Sequence, residues 1–171
     1  MNLSIRPVRL EDESDMYAAV AEFVGSGFEW STVPPGADVT WTEYVDLLAH
    51  WEQGRYLPPG WVPATTRVAD INGTVAGRLS VRHELNEFLA LVGGHIGYGV
   101  REAFRRQGIA TALLVEGLSI LRAMGLSSAM VTCKESNVGS ATVIENCGGV
   151  LRDCITHPVT GDLMRRYDIA L

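Results

Sequence analysis

The chain has 171 residues, 47% hydrophobic and 20% charged, with a formal net charge of −6. That length and composition fit one folded domain, residues 1–171, and exclude a disordered chain. The acidic balance, with a sequence pI of about 5.2, argues against nonspecific nucleic-acid binding, which draws on an excess of Lys and Arg. A negative field attracts cations, which slightly favours a small cationic acceptor such as an amine over a protein. Cys133, Cys147 and Cys154 form no Cys-x-x-Cys pair, so neither a disulfide framework nor a zinc site is legible. The start lacks the apolar stretch of a secretion signal, and no run of about 18 apolar residues could span a bilayer. These features predict a cytoplasmic protein with reduced thiols and no membrane partner.

Leu3 to Arg9 alternates apolar and polar residues as a strand does, with Pro7 marking an edge or an end. The acidic run Glu11-Asp12-Glu13 follows, suited to the positive end of a helix that carries Met16, Ala19, Val20 and Phe23 on one side. Gly25 to Ala64 is broken by Pro34-Pro35-Gly36 and again by Pro58, Pro59, Gly60 and Pro63. Between those breakers Trp41, Tyr44, Val45, Leu48 and Trp51 recur at helical spacing. Such an aromatic stripe reads first as a packing face, and an irregular segment of this kind often walls a substrate pocket.

Thr65–Ile71 and Thr74–Val81, joined by Asn72-Gly73, form a β-hairpin, because both central positions of the turn need positive φ. Glu84 to Val92 is a weakly helical link closed by Gly93-Gly94, and His95 to Val100 reads as a glycine-rich strand. Ala110, Leu113, Leu114, Gly117, Leu118, Leu121 and Met124 define a long helix over 107–124, with Gly125 as its stop. Ser128–Cys133 is a short apolar strand, so strand, helix and strand make a βαβ unit with a parallel pair. A helix over 138–146 and strands at Val150–Thr156 and Met164–Ile169 complete a mixed α/β fold.

Arg105-Arg106-Gln107-Gly108-Ile109-Ala110 lies between the glycine-rich strand and the first turn of the longest helix. Helix starts leave N–H groups unpaired and carry partial positive charge, so a phosphate is held there when small residues let it approach. Gly108 and Ala110 are small, and two arginines add charge. In this setting Arg-x-x-Gly-x-Ala resembles the acyl-CoA signature of the GNAT superfamily of N-acetyltransferases. Gly94 to Arg101 is similar to that family's fourth strand, Thr132 to Ala141 to the loop after its fifth, and Val143 to Leu151 to its final helix end. The likeness is good from Thr65 onward and weak over 23–64, where that superfamily varies with substrate.

The resemblance implies a central, mostly antiparallel sheet with one splayed parallel pair, flanked by helices, and acetyl-CoA as cosubstrate. It implies that backbone N–H groups of Arg106, Gln107, Gly108, Ile109 and Ala110 bind the pyrophosphate, with Arg105 and Thr111 flanking them. Backbone groups of Tyr98, Gly99 and Val100 would pair with the pantetheine arm as an added strand does, and Asn137 and Ser140 would contact it from the far side. The family's usual acid, a tyrosine on the helix after Asn137, is replaced here by Ile144. Tyr98 and Glu84 are the candidates left for proton transfer, Glu84 acting through water. His95 falls on the opposite strand face from Tyr98, and His83 and Glu84 read as surface groups.

Cys133 and Cys147 have no His or basic neighbour to activate them, which favours direct transfer over an acyl-enzyme. A dinucleotide site is excluded because Gly97-Tyr98-Gly99 is not completed by a third glycine, Glu102 standing there. The expected activity is acetyl transfer to a primary amine without a metal. A catalytically silent acyl-CoA-binding module and a transferase of longer acyl groups are the alternatives, and the family likeness makes a homodimer conceivable.

Overall fold

The computed structural model describes residues 2–31 and 38–171; Pro34, Pro35 and Gly36 lie outside the described residues. Strand β1 (Leu3–Arg6) ends where Pro7 removes a backbone donor. Helices α1 (Glu13–Glu22) and α2 (Trp41–Glu52) come next. The hairpin of β2 (Ala64–Ile71) and β3 (Thr74–Arg82) turns at Asn72 (φ 53°) and Gly73 (φ 88°). Then follow β4 (Ile96–Val100), α3 (Ile109–Ala123), β5 (Ser128–Lys134), α4 (Val138–Asn146), β6 (Val150–Thr156) and β7 (Leu163–Ala170).

The strands form one seven-stranded sheet in the order β1-β2-β3-β4-β5-β7-β6, antiparallel throughout except for β4 beside β5. β7 inserts between β5 and β6, so β5 is interior to the sheet and Ala129, Met130, Val131 and Cys133 are all buried. One face is covered by α3 and α4, whose Ile109, Leu113, Leu114, Leu121 and Ile144 pack on Leu79, Val81, Ile96 and Val131. The other is covered by α1, α2 and the segment after α1 through Met16, Ala19, Phe23, Trp30, Tyr44 and Trp51. The stripe over 41–51 is therefore a packing face. Thr40 caps α2 in a capping box with Glu43, which fixes where the helix begins.

Two local expectations need correction, and a third, the helical link before β4, gains detail. The acidic run does not simply decorate a helix start, because Asp12 is buried at 3% exposure and its carboxylate clasps Arg6 at 2.7 Å. Arg6 also holds Asp70 of β2 at 2.6 Å, tying β1, β2 and the turn before α1 together. The long helix begins at Ile109 and not at residue 107, since Arg106 (φ 62°) and Gly108 (φ 79°) are left-handed and cannot continue it. The link before β4 closes as a turn of π-helix over Leu89–Gly93, with the Asn86 Oδ1 accepting from the Leu89 N–H at 2.9 Å.

Candidate active site

β4 and β5 pair as strands at a single point. Their only ladder pair is Ile96 with Val131. Just before it the His95 N–H donates to the Met130 carbonyl at 2.7 Å, and the Met130 N–H donates to His95 Nδ1 at 2.9 Å. An imidazole nitrogen thus stands in for a strand carbonyl, which requires the ring to be unprotonated at Nδ1. Burial lowers the pKa of His95 below its ordinary value, and the nearby Arg82 charge pushes the same way.

Past Ile96 the strands diverge, as expected from the resemblance. On the other side β4 is paired with β3, through pairs such as Leu79 with Tyr98 and Gly77 with Val100. The Arg101 N–H donates to the Ala76 carbonyl at 2.9 Å, and antiparallel alternation then turns the polar groups of Gly97 and Gly99 to β3 and those of Tyr98 and Val100 to the β5 side. Gly99 is therefore a correction to the expected backbone set: its amide serves the sheet. Its missing side chain matters instead, since a Cβ there would lie 2.6 Å from the Phe28 ring. The neighbouring Gly27 lies against the Lys134 ammonium, so residues 27–28 run from β4 to the end of β5.

The loop from β4 to α3 carries the expected basic residues at the surface. Arg105 and Arg106 are exposed, and Arg105 Nε donates to the Val100 carbonyl at 3.2 Å. Gly108 is the N-cap of α3, with no side-chain cap, and the first backbone bond of the helix runs from the Ala112 N–H to the Gly108 carbonyl at 3.0 Å. The N–H groups of Ile109, Ala110 and Thr111 thus have no acceptor within the helix, the arrangement that holds anions. Gly108 is favoured by its φ of 79°, and among the described residues nothing lies within 4 Å of the Cβ it lacks. Gln107 is exposed and reaches back to the Ala103 carbonyl.

Across the splay, Tyr98 projects to the α4 side, where its hydroxyl is 3.0 Å from Ser140 Oγ. Burial pushes its pKa up to about 12, so it stays protonated at any ordinary pH. Asn137 caps α4 by accepting from the Ser140 N–H at 3.0 Å, which leaves its amide NH₂ as a donor at the surface. Tyr98, Asn137 and Ser140 are thus brought together. Ile144 is fully buried one turn further along α4. Burial raises Cys133 to about 11 and Cys147 above its ordinary value, so neither thiol is activated. Glu84 is exposed at the bend after β3 and shares no hydrogen bond with Tyr98 or Ser140. His83 is not a plain surface group: it is half-buried, with Nε2 2.8 Å from Thr65 Oγ1.

On the α1/α2 face of β3 lies a cavity of about 290 Å³, lined among others by Glu29, Trp51, Trp61, Arg78, Arg82 and Phe88. The irregular segment does wall a cavity, as its composition suggested. The two arginines were not singled out by sequence. Their signal is the period-two pattern Arg78, Ser80, Arg82 in a strand whose residues 75–81 are all buried. The acidity of the chain as a whole is not reproduced here, since two cations and one acid line the wall. Among the described residues no group of His, Cys, Asp and Glu could hold a metal, and no helix is long and apolar enough to cross a membrane.

A family model described as Acetyltransferase (GNAT) domain matches residues 2–150. The chain belongs to the GNAT acetyltransferases. No curated protein matches this acetyltransferase by sequence. Solved structures match its fold over nearly its whole length. They include RimL, a ribosomal L7/L12 alpha-N-protein acetyltransferase solved with coenzyme A, at TM-score 0.72 and 18% identity, covering 100% of this chain and 95% of that one. Mycobacterium smegmatis RimJ in complex with CoA-disulfide gives 0.70 and 21%, covering 98% and 81%. A putative acetyltransferase, yncA from Salmonella typhimurium, solved with acetyl-CoA, gives 0.66 and 15%, covering 99% and 94%. The splay and the uncapped start of α3 in this GNAT acetyltransferase are features of one continuous surface, since Arg105 is bonded back to Val100.

Proposed function

We propose that residues 1–171 act as one N-acetyltransferase domain that moves an acetyl group from acetyl-CoA directly to a primary amine. The observation that carries this reading is the edge of β4 at Tyr98 and Val100, which no strand pairs, leading into the uncapped N-terminus of α3. That geometry fits a long arm with amides along it and a pyrophosphate at its end. Tyr98 and Val100 pair with the amides, and the N–H groups of Ile109, Ala110 and Thr111 meet the phosphates beside Arg105 and Arg106. The Asn137 NH₂ and Ser140 close over the arm from α4. When bound, acetyl-CoA supplies the acyl carbon as a thioester; the C–N bond forms as the C–S bond breaks and the sulfur leaves as thiolate.

Tyr98 serves that departure. Its hydroxyl, held by Ser140, hydrogen-bonds the developing thiolate. A phenol raised to about 12 is a much weaker acid than an ordinary thiol near 8.5. Stabilisation by a hydrogen bond therefore does more than full proton transfer. Buried, unactivated Cys133 and Cys147 support direct transfer. The base role of Glu84 is carried by its chain position after β3 and acts through water.

The test is thermal unfolding with acetyl-CoA, CoA and NADH, followed by thiol release with an amine panel. At a hundredfold over Kd, stabilisation is about 2.7 kcal/mol, roughly 5–10 °C for a chain of this size. A shift with acetyl-CoA and CoA but not NADH is expected. No shift at millimolar acetyl-CoA removes the reading, and a shift without transfer to any amine favours the silent binding module.

A further inference from the structure

Most of the half-buried arginines in the protein hold a carboxylate. Arg6, Arg67, Arg101, Arg165 and Arg166 do so at 2.6 to 3.1 Å. Arg78 and Arg82 do not. Arg78 is 3% exposed, yet among the described residues its Nε has no hydrogen-bond partner and its Nη1 reaches only the Glu29 backbone carbonyl at 3.3 Å. Arg82 Nη1 reaches the Gly93 carbonyl at 3.3 Å. Among the described residues no carboxylate oxygen lies within ion-pairing distance of either guanidinium, and residues 32–37 contain no Asp or Glu. Two cations held this way are expensive, because an uncompensated buried charge costs several kcal/mol. Burial lowers the pKa of both, that of Arg82 to about 10 with the Arg78 charge pushing the same way, and the more distant Glu29 charge offsets this only in part.

Both arginines line the 290 Å³ cavity, with Ser80 and Thr66 beside them. The β3–β4 register sets Arg78 opposite Gly99 and Ser80 opposite Gly97. The Arg82 guanidinium lies over Gly97, where a Cβ would be 3.1 Å from Nη1. The cavity is therefore next to the strand on which the thioester is proposed to lie, on the face away from Tyr98 and α4. Glu29 shares the wall.

We infer that the acceptor is a small aminocarboxylate, whose carboxylate is bound by Arg78 and Arg82 while its amine points across Gly97 and Gly99 to the thioester. The inference rests on the acetyl-CoA reading for the last step only. The Arg78 Nε and the Arg82 guanidinium donate to the carboxylate oxygens as charge-assisted hydrogen bonds. Glu29 faces the ammonium before the ammonium's proton passes through water to Glu84 and the neutral amine becomes the nucleophile. A cavity of this volume suits a free amino acid better than a folded protein surface. The acidic net charge of the chain would by itself favour a cation; the local charge, which acts at contact distance, decides otherwise.

The probes are the proteinogenic L-amino acids and their C-terminal carboxamides, which keep the amine and lose the charge. Two readouts are used: thermal shift without acetyl-CoA, and acetyl-CoA-dependent thiol release. At least one free acid is expected to stabilise the protein where its amide does not, and to exceed the amide at least 100-fold in kcat/KM. Arg78→Met and Arg82→Met should each cut that ratio tenfold or more while the shift given by acetyl-CoA is unchanged. Replacement by an apolar residue of similar length tends to preserve or raise stability at such sites, so folding is checked by the melting temperature of each variant. Equal behaviour of acids and amides, no stabilisation by any free acid, or an acid preference that survives both substitutions overturns the inference. Preference for a peptide amide over every free amino acid also overturns it and points to a protein terminus. Failure of the acetyl-CoA reading shows separately, as absence of an acetyl-CoA shift with the acid shift intact.

Discussion

Replacing Tyr98 with phenylalanine removes one oxygen and little else, because the ring stays packed between β4 and α4. The lost atom makes one good hydrogen bond, with Ser140 Oγ at 3.0 Å, and a long one to the Ser140 carbonyl at 3.5 Å. A neutral bond of this kind contributes about 1 kcal/mol, which for a chain of this length lowers Tm by roughly 2–4 °C. During transfer the partner becomes a thiolate, and hydrogen bonds to charged groups are worth about 1.5–3 kcal/mol. That converts to a fall in kcat of roughly 10- to 150-fold. KM for acetyl-CoA should hardly move, since the bond strengthens only as charge builds on sulfur. The phenol stays protonated up to about pH 12, so the fall should be the same at every pH from 6 to 9. The assay is thiol release under saturating acetyl-CoA for both proteins across that range. A kcat within twofold of wild type, or a deficit that varies with pH, refutes the role given to Tyr98.

Gly108→Val forces a β-branched residue to φ 79° and should destabilise by about 1–2 kcal/mol; titration calorimetry should show acetyl-CoA binding weakened at least tenfold, and unchanged affinity would remove the helix-start site. Arg6→Met leaves the buried Asp12 and half-buried Asp70 carboxylates without their cation and should cost about 3–5 kcal/mol in denaturant unfolding, with a loss under 1 kcal/mol contradicting the network. Burial alone would raise Asp70, but Arg6 and the Gly73 N–H hold it below its ordinary value; the unfolded chain therefore binds this proton first, and stability should fall as pH drops below about 4. His95 is depressed too, so below about pH 6.5 the unfolded chain takes the proton and stability declines. His95→Asn keeps an acceptor for the Met130 N–H and should flatten that decline, His83 supplying what slope remains; an unaltered pH profile would remove His95 from the junction.

Local grammar carried much of the fold. Asn72-Gly73 specifies a left-handed pair, and the structure has it at φ 53° and 88°. The bounds 138–146 and 150–156 coincide with α4 and β6 because Asn137 and Gly148-Gly149 punctuate them. What could not be read locally depends on partners distant in sequence. Asp12 looks like one of three acids at a helix start until Arg6 and Asp70 fold around it. His95 gives no hint that Met130 is its partner. The Arg78, Ser80, Arg82 alternation was visible, but an exposed polar face and a buried one have the same spelling. Only the packing of Trp51 and Trp61 over that face distinguishes them.

The single bridge between Ile96 and Val131 has a consequence for how the molecule holds together. Four strands lie on one side of it and three on the other, and α3 is the covalent link that crosses between them. An arm bound along Tyr98 and Val100 would become the missing rung of that ladder, so the cosubstrate completes a sheet that the polypeptide leaves unfinished. Cohesion between the two half-sheets is then set partly by how full the slot is. Exchange of the Tyr98 and Val100 amide protons should slow when it fills, and the two halves should unfold as one body in the loaded enzyme.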